Sequence, residues 1–257
     1  MSGSTDSPLS PLLDIADLGE YELLNNHLWQ VFTLSKTKQA VYPLVREQLG
    51  VLTAALKRSQ STATHQRLCA LAGSLFQLAG EIFFDVNRYT DAAYCYTLAV
   101  SASREANAYD LWACALTRHA FVVMYDQRFT ETLPLLAAAA QVAQRGDSHL
   151  STRYWVAAVQ AQAFAALGDL NNCERALASA EETHGLSGQA NYGGWLRFDG
   201  LRLREEKGSC YVKLSRMDLA EAALMDVLGQ RLSMRRKGSV LTDLALLGAQ
   251  RRDVDQI

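Results

Sequence analysis

The sequence predicts an all-α fold, a right-handed α-solenoid of about 11 helices that pair antiparallel. From about Leu68 onward, apolar residues recur at helical spacing and β-branched runs are few. Only four prolines occur, and three of them precede residue 44, so few helix breakers interrupt the chain. A set of intervals also recurs four times along the chain, which indicates stacked helix pairs.

Each copy of this repeat holds seven positions separated by 4, 3, 6, 3, 4 and 3 residues. Small residues within a copy let two helices approach closely, and we expect Gly80 to face Ala92 in this way. The interval of six contains a polar turn that is too short for anything but an antiparallel hairpin. The copies begin at Phe76, Leu116, Ala157 and Arg204, and their turns lie at residues 85–88, 126–128, 167–169 and 214–216.

The order of small and aromatic residues in the first copy resembles the tetratricopeptide repeat. The other copies depart from that pattern, with Thr132 and Cys173 in place of alanine and Arg204 in place of a large apolar residue. The first repeat position after each turn is Tyr89, Phe129, Leu170 or Met217. Successive repeats are therefore 40, 41 and 47 residues long, against about 34 residues in the standard repeat. The residues that carry the resemblance are Gly80, Phe83, Tyr89, Ala92, Tyr96 and Ala99.

Longer phrases resemble the tetratricopeptide region that follows the helix-turn-helix domain in actinobacterial-type, XRE-like transcriptional regulators. They are "HLWQVFTLSKTKQAVYPLVREQL", "LAGEIFFDVNRYTDAAYCYTLAVSAS", "DLWACALTRHAF" and "GGWLRFDGLRLREEKGSCYVKL". The resemblance covers roughly residues 20 to 257. It implies a non-enzymatic sensor and homodimerisation region that binds a peptide, a small molecule or a partner protein. DNA would be bound only through a helix-turn-helix domain, for which this chain has no room.

The chain divides, by prediction, into three parts. Residues 1–16 are expected to form a flexible segment or an expression remnant, and residues 17–60 two capping helices, about 18–34 and 37–58. Residues 61–257 form the divergent repeats, the last of which is incomplete because its second helix is missing. An open end of this kind suggests truncation or a dimer contact.

Composition limits the function classes. The net charge of -2 gives no general attraction to nucleic acid, although a small basic patch remains compatible with it. No apolar run approaches the roughly 20 residues that span a bilayer, and the start lacks the features of a secretory signal, so we expect a cytoplasmic protein without membrane contact. The five cysteines are spread widely among helix-forming residues and are predicted to be reduced core thiols.

The ligand groove is predicted along the first helices of successive repeats, which line the concave face in tetratricopeptide stacks. Polar and aromatic residues interleave there, and this mixture suits a peptide or an amphipathic small molecule. Simple packing is the alternative at each position. The predicted groove residues are Gln77, Glu81, Phe84, Thr117, Phe121, Met124, Trp155, Gln162, Trp195 and Arg197, with Ala158 at the same face.

The stretch "THGLSGQANYGGWLRFDGLRLREEKGS" lies in the longest gap between repeats. Its glycines permit a long loop, and Trp195, Phe198 and Leu201 are predicted to form one apolar helix stripe. Two alternatives stay open for Trp195. Either it packs the stack, or it joins Arg197 in a pocket at the end of the groove.

No metal, cofactor or catalytic motif is predicted. His65 and Cys69 share one helix face, but a metal would need further ligands, so a half-buried histidine and a core thiol are preferred. Glu81 and Asp85 would be the only carboxylate pair for an enzyme, and the single Glu-x-x-His at Glu181 lacks the second copy of a di-iron site. Basic residues 231, 235–237, 251 and 252 could contact nucleic acid or an acidic partner domain, but a basic helix end and a solvated turn are preferred.

Two alternatives to the regulator remain. One is a general tetratricopeptide adaptor or scaffold without a transcriptional role, and the other is a helical enzyme.

Overall fold

A computed structural model of the protein describes residues 15–58, 60–182, 194–196, 198–230, 232 and 234–251. Within these ranges the regular structure is entirely helical, which confirms the all-α prediction. The chain forms two compact units, Met1–Ala108 and Tyr109–Ile257. The division falls inside the region that the sequence assigns to repeats.

From residue 15 onward, the described part of unit 1 forms four α-helices and a short 3-10 helix. They are α1 (Ile15–Leu34), the 3-10 helix (Lys38–Val41), α2 (Tyr42–Leu56), α3 (Thr62–Asp85) and α4 (Tyr89–Glu105). The sequence predicted one helix over residues 37–58, but Pro43 lies in the first turn of α2, where a proline starts a helix rather than continues one. The preceding residues therefore form a separate 3-10 turn.

Helix α3 is the centre of unit 1, because α1, α2 and α4 all pack against it. Asn25 Nδ2 donates to the Leu71 carbonyl at 3.0 Å, and Trp29 Nε1 donates to Ser74 Oγ at 3.0 Å. By length and composition alone, α3 is long and apolar enough to cross a membrane. The sequence predicted no apolar segment of this length. Because 67% of its apolar window is buried within the protein, α3 is accounted for as a core helix.

The described residues of unit 2 form seven α-helices, of which the first six make three hairpins. The pairs are α5 (Tyr109–Tyr125) with α6 (Phe129–Ala143), α7 (Thr152–Ala166) with α8 (Leu170–Glu181), and α9 (Gly200–Lys213) with α10 (Met217–Leu228), followed by α11 (Met234–Arg251). Helices α5 and α7, α7 and α9, and α9 and α11 also pack against each other. The first helices of successive hairpins are therefore neighbours within this unit.

The four predicted hairpin turns are confirmed and share one backbone conformation. The second residue after each helix has a left-handed backbone, and the next amide donates to a carbonyl five residues earlier, as in a Schellman motif. Arg88 N, for example, donates to Phe83 O at 2.9 Å, and Arg216 N donates to Tyr211 O at 2.9 Å. The positive-φ residues of these turns are Asn87 (61°), Gln127 (58°), Gly168 (73°) and Ser215 (55°).

Two glycines allow the close helix contacts that the repeat intervals predicted. A Cβ atom on Gly208 would lie 2.5 Å from Leu224 Cδ2, so α9 and α10 require a glycine there. In the first copy, Gly80 of α3 approaches Tyr96 of α4 in the same way, and its closest side-chain neighbour is Tyr96 rather than the expected Ala92. In these two copies the large residue thus lies over the small one.

The helix stripe predicted for Trp195, Phe198 and Leu201 is wrong. Helix α9 begins only at Gly200, and the residues before it that are described are not helical. The reason is a helix cap, since Asp199 is extended and its side chain accepts a hydrogen bond from Arg202 N at 2.7 Å. Leu196 and Phe198 are buried in one apolar cluster with Leu203.

All five cysteines are free and buried, as the sequence predicted. Cys69 and Cys95 lie in unit 1, and Cys114, Cys173 and Cys210 lie in unit 2. Burial is the main cause that raises the pKa of Cys95 to about 11 and that of Cys114 to about 12. These thiols are therefore protonated at neutral pH and behave as core side chains.

Candidate functional site

The first helices of unit 2 carry an arginine between aromatic side chains. Arg118 of α5 is buried, and its guanidinium carbon lies 5.0 Å from the centroid of the Trp155 ring on α7. The ring of Phe121, one turn after Arg118, lies 6.4 Å from the same tryptophan at an interplanar angle of 30°. Phe121 and Trp155 are half-buried, so solvent reaches the two rings in part, while the cation between them is buried. We call these three residues the arginine–aromatic cluster.

The arginine–aromatic cluster is connected to the loop before α9. Arg118 Nη2 donates to the backbone carbonyl of Trp195 at 2.5 Å. The Trp195 side chain is half-buried and packs on the apolar cluster that contains Leu196 and Phe198. Trp155 packs against that same cluster. Arg118 therefore holds the loop carbonyl and faces the tryptophan ring at once.

A network of charged side chains lies on α7, α9 and α11. Glu206 of α9 accepts from Gln162 Nε2 of α7, and Glu206 Oε1 lies 2.6 Å from Arg202 Nη2. Glu205 is 3.1 Å from Arg202 Nη1 and accepts from Arg236 Nε of α11 at 2.7 Å. Both carboxylates are buried although the two arginines reach solvent. These five residues are the buried ion network.

The electrostatics of the buried ion network favour its charged form. The nearby Glu206 carboxylate is the largest cause that raises the pKa of Arg202, and Glu205 raises it further against the effect of burial. Two buried carboxylates are costly to desolvate, and removing one partner leaves the other charge uncompensated. We therefore expect the intact network to add little net stability, whereas loss of one of its members should be costly.

The predicted groove residues of unit 2 fall into two groups. Phe121, Trp155 and Trp195 are half-buried and belong to the arginine–aromatic cluster or contact the same apolar residues. Thr117, Met124 and Gln162 are buried, with Thr117 Oγ1 donating to the Ala113 carbonyl at 2.8 Å and Gln162 held by Glu206. Arg197 lies outside the described residues. Ala158 is also buried.

The predicted groove residues of unit 1 lie on α3. Gln77 is fully buried, while Glu81 and Phe84 are half-buried. Glu81 accepts a hydrogen bond from Tyr96 Oη at 2.9 Å, and the Phe84 ring lies 5.3 Å from that of Tyr89. These contacts give each half-buried side chain a role within the α3–α4 hairpin.

The other residues that the sequence singled out have structural partners or lie outside the described ranges. Arg236 belongs to the buried ion network, and Arg251 pairs with Glu221 at 2.5 Å and with Asp218 at 3.1 Å. Burial, followed by the charge of Glu105, raises the pKa of the Cys69 thiol to about 11, which makes it a poor nucleophile. His184, Arg231 and Arg252 lie outside the described residues, as does the side chain of Arg235.

Sequence reasoning missed Arg118 and the pair Glu205–Glu206. Arg118 stands three residues before Phe121, so counting one more helix turn backward from the predicted groove position would have found it. The glutamates follow Arg202 at spacings of three and four, a pattern that also describes an ordinary solvated helix face. Sequence alone gives no signal that these charges are buried.

No family model matches the chain, and no curated protein matches it. Among solved structures, the chain is similar to the crystal structure of BtubC (BKLC) from P. vanneervenii, with a TM-score of 0.51 and 15% sequence identity. The similarity covers 84% of this chain and 90% of that chain. At this identity the likeness concerns the helical fold alone.

Proposed function

We propose that the chain is a non-enzymatic, tetratricopeptide-like binding module, an α-solenoid of helix pairs that serves as the sensor region of a transcriptional regulator. The observation that carries the binding role is the arginine–aromatic cluster, in which a cation and two half-buried rings meet on neighbouring first helices. The regulator context rests on the resemblance of long phrases in the sequence. Dimerisation and a cytoplasmic location belong to the same proposal.

The chemistry of the arginine–aromatic cluster favours an amphipathic ligand. The Phe121 and Trp155 rings offer apolar contact area, and aromatic side chains dominate binding energies at such surfaces. The guanidinium of Arg118, 5.0 Å from the Trp155 ring centroid, adds a positive charge for an anionic group at one end of the ligand. A peptide or small molecule with an apolar body and a carboxylate therefore fits best.

A ligand bound to Trp155 would lie beside Arg118, the side chain that also contacts the segment before α9. Arg118 contacts the Trp155 ring and also donates to the Trp195 carbonyl. An anionic group that engages the guanidinium competes with that carbonyl and weakens its hold on Trp195. Ligand sensing requires a second position of this carbonyl, for which the ligand has a different affinity.

The binding role is tested by calorimetric titration with a panel of amphipathic peptides and small carboxylates. We expect at least one member to bind, and Trp155→Leu to weaken its affinity about tenfold or more. Trp112→Leu is the matched control, because Trp112 is a half-buried tryptophan on α5 that packs in a different apolar cluster. Equal affinities of the two variants, or no binding by any member, contradict the proposal.

The regulator role is tested on the natural product of the gene. A helix-turn-helix domain encoded upstream of Met1, with operator binding that changes when the ligand is added, is the expected result. Ligand binding without any DNA-binding domain would instead identify an adaptor module. Turnover of a ligand would identify an enzyme.

A further inference from the structure

The N-terminal turn of α3 and the C-terminal end of α4 bring three metal-ligating side chains together. His65 Nε2 lies 2.7 Å from Glu105 Oε1 and 3.5 Å from Cys69 Sγ. All three ligand atoms lie within 4.8 Å of one another. We propose that His65, Cys69 and Glu105 form a binding site for a divalent transition-metal ion, with Zn²⁺ as the natural occupant. The site lies in unit 1 and is independent of the ligand surface proposed above.

The fold explains why these residues meet. His65 and Cys69 are one helical turn apart on α3, so their side chains project from the same face. Helix α4 runs antiparallel to α3 after a short turn, which places Glu105, its last residue, beside the first turns of α3. Glu105 is 40 residues from His65 in sequence, so only the hairpin brings it to the pair.

The spacing of the ligand atoms is close to that of a bound ion. Tetrahedral Zn²⁺ with sulfur, nitrogen and oxygen ligands separates those atoms by about 3.4 to 3.6 Å. The 3.5 Å between His65 Nε2 and Cys69 Sγ already has this value, and the 2.7 Å from His65 Nε2 to Glu105 Oε1 has to widen. The third separation, from Cys69 Sγ to the Glu105 carboxylate, is at most 4.8 Å and has to come to about 3.6 Å. The Glu105 side chain is 60% exposed and the His65 side chain 35% exposed, so both can adjust. Three protein ligands leave the fourth position to water.

Gln60 supplies the orientation that a metal-binding histidine requires. Its Nε2 atom lies 3.2 Å from His65 Nδ1, while its Oε1 atom is buried without a hydrogen-bond partner. Exchanging the two ends of this amide lets Oε1 accept a proton from Nδ1–H. Oε1 then has a partner, the amide nitrogen takes the buried position that Oε1 held, and the lone pair of His65 is on Nε2, the atom that faces Cys69 and Glu105. Gln60 is thus a positioning residue of the kind that commonly supports metal-bound imidazoles.

The charges of the ligand set suit a divalent ion with mixed preferences. Binding of the ion displaces the Cys69 thiol proton to solvent. The resulting thiolate and the Glu105 carboxylate together balance the two positive charges, and the imidazole adds a neutral ligand. Thiolate and imidazole favour Zn²⁺ and Co²⁺ over Mg²⁺ or Ca²⁺, which prefer oxygen.

Cobalt titration of untagged, chelator-treated protein tests the site. We expect one equivalent of Co²⁺ to produce the near-ultraviolet charge-transfer band of a cobalt thiolate, and an equivalent of Zn²⁺ to remove it. Cys69→Ser abolishes the band, whereas Cys95→Ser, at a buried cysteine on α4, keeps it. Absence of the band from the native protein, or its persistence in Cys69→Ser, overturns the proposal, and cobalt bound without the band lies elsewhere and overturns it as well.

Variants at exposed or half-buried positions are expected to fold, so a loss of metal binding can be told apart from a loss of structure. Glu105→Gln is expected to weaken cobalt binding about tenfold or more with an unchanged circular dichroism spectrum. Gln60→Leu is expected to weaken cobalt binding similarly. Gln60→Glu retains an acceptor oxygen and is expected to keep the cobalt affinity of the native protein. Equal affinity of the native protein and Glu105→Gln removes Glu105 from the site and contradicts the proposal.

Discussion

A Cβ atom placed on Gly80 would lie 2.4 Å from Cε1 of Tyr96, which is too close for the ring to stay where it is. Gly80→Ala therefore forces Tyr96 to move and strains its hydrogen bond to Glu81. We expect the substitution to lower the free energy of unfolding by about 1 to 3 kcal/mol, as overpacking does elsewhere. Urea unfolding followed by circular dichroism measures the effect.

Gly50→Ala is the matched control for Gly80→Ala. Gly50 lies inside α2 of the same unit, and nothing lies within 4 Å of a Cβ added there. Alanine is the better helix former, so this variant is expected to be more stable by about 0.5 to 1 kcal/mol. If both alanines shift the urea midpoint in the same direction, the close contact at Gly80 is not the cause.

The left-handed hairpin turns make glycine a stabilising substitution at Ser215. Its φ of 55° is strained for a residue with a Cβ atom, by about 1 to 2 kcal/mol. Glycine removes this strain but gains entropy in the unfolded chain, so Ser215→Gly is expected to add about 0.5 kcal/mol of stability. The urea midpoint should rise.

Gly168→Ala is the reverse experiment at the equivalent turn, where φ is 73°. Since nothing lies within 4 Å of an added Cβ, the expected loss of about 1 kcal/mol comes from the backbone alone. Ser101→Gly, on an exposed position inside α4, should be destabilising. If Ser101→Gly instead raised the free energy of unfolding, the effect of glycine at Ser215 could not be assigned to the turn conformation.

Removing Arg202 should lower the free energy of unfolding, because it leaves the buried carboxylates of the ion network without one of their partners. In Arg202→Met, Glu206 and Glu205 stay buried but lose an ion-pair partner. We expect a loss of about 2 to 3 kcal/mol, less than for a fully buried pair because the Arg202 side chain is 36% exposed. Adding Glu206→Gln to this variant should recover part of the loss. Arg128→Met breaks an exposed pair with Glu131 and should hardly change the urea midpoint.

Acid should weaken the native protein through His119. Burial lowers the pKa of this histidine below its usual 6.5, so the folded state favours the neutral ring. The stabilising contribution is complete above the unfolded pKa and is lost as pH falls from 6.5 through the folded pKa. His119→Gln should therefore lose less stability than the native protein between neutral and mildly acidic pH. Parallel pH profiles of the urea midpoints would contradict this.

The hairpin register could be predicted from the sequence because the intervals have a direct structural meaning. Small residues such as Gly80 and Gly208 lie where two helices touch, and the polar turns fall between fixed apolar positions. The start of α9 could not be predicted in the same way. Trp195, Phe198 and Leu201 have helical spacing, yet the cap at Asp199 and the packing of Leu196 decide the local structure.

The candidate sites were predictable only in part, because long-range neighbours leave little trace in the sequence. Phe121 and Trp155 were found from the repeat, and they do meet. Glu105, which completes the cluster around His65, was not found, since its position depends on the length of the whole α3–α4 hairpin. Burial of Glu205 likewise depends on α11, which lies about one hairpin further along the chain.

The buried cysteines make the chain its own reporter of local opening. All five sulfur-bearing side chains are buried, so a bulky thiol reagent reaches them mainly through structural fluctuations. Because Cys69 and Cys95 belong to one compact unit and the other three to the second, the labelling rate at each sulfur, resolved by peptide mass spectrometry, reports the breathing of each unit separately. The order in which the sulfurs react would rank the local stability of the two units without any engineered probe.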